Sequence, residues 1–544
     1  MELNRDVERD GLRRVTAVTT PLAQRGIVDR NTLVLLVQGY PTRQSALPGQ
    51  DVTFCCSSQT TTFSATVTRV GGEREPVWHR AGIAGTVQPV PTDAYATGCG
   101  WEETFTVPVG ADWRSGFYEV ALQADDVEGP EAVSHAFFVV RAAHPGRDTP
   151  IVLVLATNTY NAYNKFGGRC LYTGATQVSF QRPIERGFLT RPDADYDGRV
   201  ASIEPGGDPG HQRLLDYLEA GKYPMWCASS GWHNWERRFV RWAEQRGFTV
   251  DLAVNSDLDP AVGAGAAVLD GYRLLVCVGH DEYWSAGMRD TIDGFVERGG
   301  NHAIFSGNTS FWQVRYEDDG DTMVCFKGSA HTHDPVVGTD RAHLLTSFWS
   351  DPAVGRPETS TIGLTFSRGG YARIGRGTPR SSGAFTVYRP DHWALAGTGL
   401  CYGDALGLGS YVVGYEVDGC AYTLHQGLPV PTHEDGAPDD LTILATAPAR
   451  LLSQDDTVSE IPQALWADPD GPGDLQGVAT MLFGDASPEN VAKIAHGSAV
   501  MAAFTRGSGT VFNAGTTDWA YGLDRDPLVQ QVTHNVLTRL SALA

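Results

Sequence analysis

The residues best placed to do chemistry are His280 and Glu282, in the run Leu274-Leu-Val-Cys-Val-Gly-His280-Asp281-Glu282-Tyr283-Trp284. In extended backbone, side chains two residues apart share a face. His280 and Glu282 therefore point to one spot, with Asp281 opposite. An imidazole and a carboxylate on one spot begin a metal site, or make a hydrogen-bonded pair capping the helix that follows. Spacing alone leaves both open. A zinc deaminase would add Pro-Cys-x-x-Cys to His-x-Glu, and no Cys-x-x-Cys occurs. His-Glu-x-x-His, Gly-x-Ser-x-Gly, the P-loop and Gly-x-Gly-x-x-Gly are also absent. Cys277 is conceivable as a nucleophile, but inside an apolar strand it reads better as a buried structural thiol.

The elements around this pair set its location. Tyr272 to Val278 is a strand candidate, and Gly279 lets the chain leave a sheet sharply. Ser285 stands as N-cap to a helix whose one face is Met288, Ile292, Phe295 and Val296, and Gly299-Gly300 ends it. Ile151 to Ala156, Phe248 to Val254 and His302 to Phe305 are further strand candidates, and Trp235 to Arg246 is helix-like. Near the C-terminus come a helix at Pro488 to Ile494, strands at Ala499 to Phe504 and Gly509 to Phe512, and a helix over Leu528 to Leu543. Strands alternating with helices predict an α/β, doubly wound parallel sheet. In such sheets, sites form beyond the carboxyl ends of the strands, which is where His280 and Glu282 fall.

Residues 31–141 read differently. Short alternating strands, among them Leu33 to Val37, Val52 to Phe54, Phe63 to Val67, Glu102 to Val107, Gly116 to Leu122 and His135 to Val140, predict an immunoglobulin-like β-sandwich, without a Cys…Trp…Cys signature. Residues 1–30 are a charged N-terminal extension, 142–149 a linker, and 150–544 the α/β domain, with 315–440 as a large, mostly β insertion. The chain is thus expected to be multidomain.

Composition narrows the function classes. The 544 residues carry a net charge of −22, 42% hydrophobic and 19% charged residues, which fits a globular protein. No Lys/Arg cluster offers nucleic acid a basic face. The first 30 residues lack an apolar signal core, and no run of about 18 apolar residues spans a membrane. Nine cysteines without a framework spacing point to a reducing cytoplasm.

Several blocks resemble the large (beta) subunit family of N,N-dimethylformamidase. They are Thr157-Asn-Thr-Tyr-Asn-Ala-Tyr-Asn164 followed by Gly167-Gly168 and Leu171-Tyr172, then Val178-Ser-Phe-Gln-Arg-Pro183, Gly279-His-Asp-Glu-Tyr-Trp-Ser285, Phe305-Ser-Gly-Asn-Thr309 and Gly414-Tyr-Glu-Val-Asp418. The resemblance covers most of 150–544, in the family's order. It implies one Fe(III) per chain held by Tyr163, His280 and Glu282, with Tyr160 and Tyr172 near enough in sequence to be mistaken for the ligand. It implies hydrolysis of a small amide at its C–N bond, and a glutamine-amidotransferase-like scaffold for the α/β domain. A phenolate, a carboxylate and an imidazole suit a hard ferric ion. The resemblance also favours catalytic roles for Asn308, Lys327 and Glu416, with Asp418 as the alternative carboxylate. Without it, these read as a turn residue, a surface lysine and a strand carboxylate.

The chain departs from the family at two places. Relative to the family it is expected to lack a sizeable lectin-like module on its N-terminal side, and about Leu189 to Gly231 looks like an insertion, a lid or a contact surface. Expected partners are a small amide and further copies of the chain, with a small accessory subunit as an option. His331 and His333 read as loop residues. His233 and Trp232 adjoin the insertion, and Asn513, Asp518 and Trp519 fall at another carboxyl edge where they could line a pocket. The competing readings are a cysteine-dependent enzyme on the same scaffold and a non-catalytic binding protein.

Overall fold

A computed structural model describes residues 33–192, 217–373, 379, 381–453 and 474–542. The extension 1–30 lies outside the described residues, as does the middle of the 189–231 stretch.

The N-terminal part is two sheets over one core. Val37–Pro41, Asp51–Ser58 and Glu103–Pro108 form a three-stranded sheet. Ser45–Ala46, Val133–Val140, Gly116–Ala124, Thr62–Val70 and Arg74–Ala84 form a five-stranded one. Alternation explains the packing: Phe63, Ala65 and Val67 are fully buried and meet Val52, Phe54 and Phe105 from the other sheet. The Phe54 ring stacks on Phe105 at 5.0 Å and meets Phe138 edge-on at 6.2 Å. The first strand is Val37–Pro41, starting where the apolar run Leu33–Val37 ends; within that run Leu35 and Val37 are buried and Val34 is 72% exposed.

The central element is a nine-stranded sheet in the order Asp251–Val254, Ile151–Leu155, Leu274–His280, Asn301–Gly307, Gly509–Asn513, Gly497–Arg506, Thr442–Ala449, Phe385–Val387, Ala405–Leu406. The strands from Asp251–Val254 to Gly509–Asn513 pair in parallel. From Gly497–Arg506 onward every pairing is antiparallel. The alternation of strands and helices predicts a parallel sheet that also takes in Ala499 to Phe504, and the strands from Gly497–Arg506 onward correct it. Gly497–Arg506 and Gly509–Asn513 are joined by a tight turn with Gly507 at φ 56°, so no crossover helix separates them and direction reverses.

Continuous apolar strands follow from burial on both faces. Leu153, Leu155, Leu274, Val276 and Val278 pack with Phe239 and Val240 of the helix Glu236–Gln245 and with Val529, Val532 and Val536 of the helix Pro527–Ser541. The alternate residues Val152, Val154, Leu275 and Cys277 pack with Met288, Ile292, Phe295 and Val296 of the helix Ala286–Glu297. That helix is capped by Ser285, whose side chain accepts from the Met288 amide.

The stretch 315–440 does not stand apart from the sheet. Phe385–Val387 and Ala405–Leu406 extend it, and Thr365–Ala372 pairs with Tyr415–Gly419 to carry Glu416 over its carboxyl edge. The two-sheet part docks on the rest through Phe117, whose ring stacks on Trp232 at 4.2 Å. No helix among the described residues is long and apolar enough to cross a membrane.

Candidate functional site

The strand Leu274–His280 ends with Gly279 at φ 84°. A Cβ at Gly279 would come within 2.6 Å of the Trp235 side chain, so only glycine lets the chain turn there. The turn delivers His280 and Glu282 to one point, with His280 Nε2 3.3 Å from Glu282 Oε2. Asp281 faces the other way and accepts from Asn255 Nδ2 at 3.2 Å.

His280 Nδ1 lies 2.9 Å from the Ser229 carbonyl oxygen, which can only accept. The proton therefore sits on Nδ1, and Nε2 is aimed at the carboxylates. Glu416 Oε2 is 2.8 Å from the same Nε2. Two buried carboxylates converging on one nitrogen favour a positive charge at that spot, whether a proton or a cation. Burial pulls the imidazole pKa down, but Glu416 and Glu282 reverse this and raise it well above its ordinary value. Burial pushes Glu282 up, yet its bonding to His280 and the nearby charges of His280 and Lys327 hold it below the usual carboxylate range.

Glu282 is gripped from several directions. Tyr163 donates to Oε2 at 3.2 Å, Tyr172 to both oxygens at 2.9 and 2.8 Å, and Trp312 Nε1 to Oε1 at 2.8 Å. Its amide donates to Thr159 Oγ1 at 3.0 Å. Thr159 and Tyr163 lie on the helix Thr157–Tyr163, which starts at the carboxyl end of Ile151–Leu155. Burial, then the Glu282 charge, push the Tyr163 phenol well above its ordinary pKa, so it ionises only against a strong cation.

Asn308 sits at φ 49° in the turn after Asn301–Gly307, a conformation asparagine tolerates. Its Nδ2 donates to Glu416 Oε2 at 3.2 Å and lies 3.5 Å from His280 Nε2, while its buried Oδ1 has no hydrogen-bond partner. Asp418 is turned aside: its Oδ2 takes the Thr309 amide at 3.1 Å, and burial pushes its carboxyl up to about 8. Lys327 Nζ lies 3.3 Å from the Tyr172 ring centroid, with the Tyr283 and Trp312 rings at 5.2 and 5.3 Å. Burial lowers its pKa, with Glu282 opposing.

Tyr163, His280, Glu282, Asn308, Lys327 and Glu416 are thus brought together. Among the described residues no group of three or more His, Cys, Asp and Glu has metal-holding geometry. A metal here needs the phenol as its third donor. The donor set fits a hard ion on one observation: Tyr163 Oη and His280 Nε2 lie 3.2 and 3.3 Å from the same Glu282 oxygen. Neighbouring donors around an ion at about 2.0–2.2 Å have spacings of roughly 3 Å.

Other sequence candidates lie elsewhere. Tyr160 donates to Glu236 Oε1 at 2.7 Å. His331 pairs with Asp351 at 2.6 Å, and His333 bonds Thr332. His233 accepts the Arg191 amide, Asn513 holds the Ile362 carbonyl, and Trp519 bonds Thr533. Asp518 accepts from Trp235 Nε1 at 3.1 Å. Cys277 is buried against His302 on the opposite sheet face, and burial holds its thiol well above the ordinary range. Ser229, Tyr415, whose Oη lies 3.2 Å from His280 Nδ1, Trp226, whose ring lies 5.8 Å from that of Tyr163, and Trp312 were not legible as site residues. A backbone carbonyl leaves no residue-type signal, and the aromatics blend into a chain with 13 tryptophans.

The chain is a member of the family described as N,N-dimethylformamidase beta subunit-like, C-terminal, whose model matches residues 64–534. It is similar to the N,N-dimethylformamidase beta subunit of Alcaligenes sp, at 25% identity over 366 residues, or 61% of this chain and 44% of that protein. The aligned region thus spans less than half the length of that relative. One solved chain, from work on T cell activation by the bacterial superantigen toxic shock syndrome toxin-1, matches at 16% identity and a TM-score of 0.14. It covers 20% of this chain and 98% of its own length, and a superposition that poor assigns no fold.

Proposed function

We propose that this chain is an iron-dependent amidohydrolase that cleaves the C–N bond of a small, N-substituted, dimethylformamide-like amide to a carboxylate and an amine. The observation that carries the reading is the meeting of Tyr163 Oη and His280 Nε2 on Glu282 Oε2 in a member of this family. Tyr163, His280 and Glu282 would hold one Fe(III) per chain. Such an ion supplies Lewis acidity toward an amide carbonyl and toward water.

The remaining chemistry belongs to side chains. Glu416 Oε2, beside His280 Nε2, takes the proton of the attacking water and returns it to the leaving nitrogen. Asn308 Nδ2 turns from Glu416 to the developing oxyanion. Lys327, seated on the Tyr172 ring, balances the carboxylate charge beneath it. The test is metal analysis of purified protein combined with a panel of amides scored by amine release. About one iron per chain and release of amine are expected, and full activity after metal removal would sink the reading.

We further propose that the two N-terminal sheets are an immunoglobulin-like sandwich and that the central sheet is a glutamine-amidotransferase-like scaffold. We place the protein in the cytoplasm, where its nine free thiols would persist. We infer that it assembles as a homo-oligomer, with a small accessory subunit as the alternative assembly.

A further inference from the structure

The block Val178 to Pro183 supplies none of the groups gathered at Glu282, but it is tied to the segment that carries both phenols. Asn161 Nδ2 donates to the Val178 carbonyl at 3.2 Å, and Asn164 Nδ2 to the Pro183 carbonyl at 2.9 Å. Between them lies the buried guanidinium of Arg182. Its Nε donates to the Ser179 carbonyl at 2.8 Å. Nη1 donates to the carbonyls of Phe166 and Arg169 at 2.6 and 3.5 Å. Nη2 donates to the carbonyl and to Oδ1 of Asn161, both at 3.0 Å. These contacts match the five N–H groups that a guanidinium carries, and none of the acceptors is a carboxylate. Burial lowers the Arg182 pKa to about 10, which leaves the group charged at neutral pH.

The bonds fall where the backbone needs them. A helix leaves its last carbonyls without a donor of its own. In the helix Thr157–Tyr163, the Tyr160 carbonyl takes the Asn164 amide at 3.0 Å and the Ala162 carbonyl takes the Leu171 amide at 3.1 Å. The Asn161 carbonyl between them takes Arg182. Through Phe166 and Arg169 the same guanidinium also holds the loop that runs from Tyr163 to Tyr172. That loop contains Gly167 at φ 84° and Gly168 at φ 104°, so its own backbone is permissive. With both ends held, the Tyr163 and Tyr172 rings lie 4.3 Å apart at 33°, and both phenols reach Glu282. A lysine ammonium lacks the rigid five-donor fork that spans helix end and loop at once.

We propose that Arg182 is a positioning residue that fixes Tyr163 relative to Tyr172, so that one phenol is presented beside His280 while the other orients Glu282. This rests on the amidohydrolase reading above and extends it to a residue that touches neither substrate nor ion. The test is Arg182→Lys in the full-length protein, read by hydrogen exchange of the metal-free chain and by iron titration. Amide exchange over residues 157–172 should rise at least about tenfold, because charge-assisted bonds to that segment are lost. Exchange in the strand Leu274–His280 and the helix Pro527–Ser541 should stay within about twofold of the wild type. Iron binding should weaken by roughly 10- to 100-fold, with a shifted phenolate-to-iron band. Faster exchange spread evenly over the chain would reduce Arg182 to a general stabiliser and overturn the proposal, as would unchanged exchange over 157–172. If Arg182→Lys does not fold, Asn161→Ala removes one acceptor of the guanidinium and should give the same local pattern at about threefold. If the wild type holds no iron and hydrolyses no amide, the function fails, and the exchange of the metal-free proteins still decides for or against Arg182.

Discussion

Tyr172 donates to both carboxylate oxygens of Glu282, at 2.9 and 2.8 Å, while Tyr163 reaches only Oε2, at 3.2 Å. Tyr172 in turn accepts from Tyr283 at 2.8 Å and carries the Lys327 ammonium on its face. Tyr163 alone of the two also meets the His280 ring, at 5.5 Å. The two phenols therefore have different jobs: Tyr172 orients Glu282, and Tyr163 faces the point where Glu282 and His280 converge.

This division predicts different phenotypes. Purified protein should show a phenolate-to-iron charge-transfer band. Tyr163→Phe should bleach it, whereas Tyr172→Phe should keep the band and weaken iron binding by roughly 10- to 100-fold, as loss of ligand-orienting partners does. Retention of colour in Tyr163→Phe would exclude Tyr163 as a ligand.

Glu416→Gln keeps the shape of the side chain but removes its basicity. With Glu416 as the proton carrier, kcat should fall by about 10²- to 10⁴-fold while iron content stays near that of the wild type. Asp418→Asn should spare kcat by comparison, since Asp418 is engaged by the Thr309 amide. The reverse order would reassign the base.

Gly279→Ala should destabilise the fold, because φ is 84° and the added Cβ would meet Trp235 at 2.6 Å. A loss of at least about 1–3 kcal/mol is expected, read as a lower melting temperature. An unchanged melting temperature would show that the turn can relax.

Glu236 is buried beneath Tyr160, and burial raises its carboxyl from 4.5 to about 7. The folded state then keeps a proton that the unfolded chain releases above its own lower pKa. Its contribution is most favourable below pH 4.5 and is lost as pH rises to about 7, by an amount of order 3 kcal/mol. Glu236→Gln should remove that slope, so the stability difference between variant and wild type should shift in the variant's favour from pH 4.5 to pH 7. A difference that stays flat over this interval would show that Glu236 is ionised in the folded protein.

Local chemistry was legible in the amino-acid sequence alone. The two-residue period of extended backbone sends His280 and Glu282 to one side and Asp281 to the other. Ser285 caps its helix, and Gly279 marks the exit from the strand. Alternating apolar residues place several of the N-terminal strands, though not Arg74–Ala84, and continuous apolar runs place the parallel strands of the central sheet. These features depend on bonds and periods spanning a few residues, so neighbouring residue types determine them. Only the tertiary structure decided that Glu416 faces His280, that the Ser229 carbonyl accepts a hydrogen bond from His280 Nδ1, that Tyr172 and Trp312 grip Glu282, and that the antiparallel strands complete the sheet. Each of these is a meeting of distant segments, set by strand order and by how buried polar groups find partners, and no residue carries that information by itself.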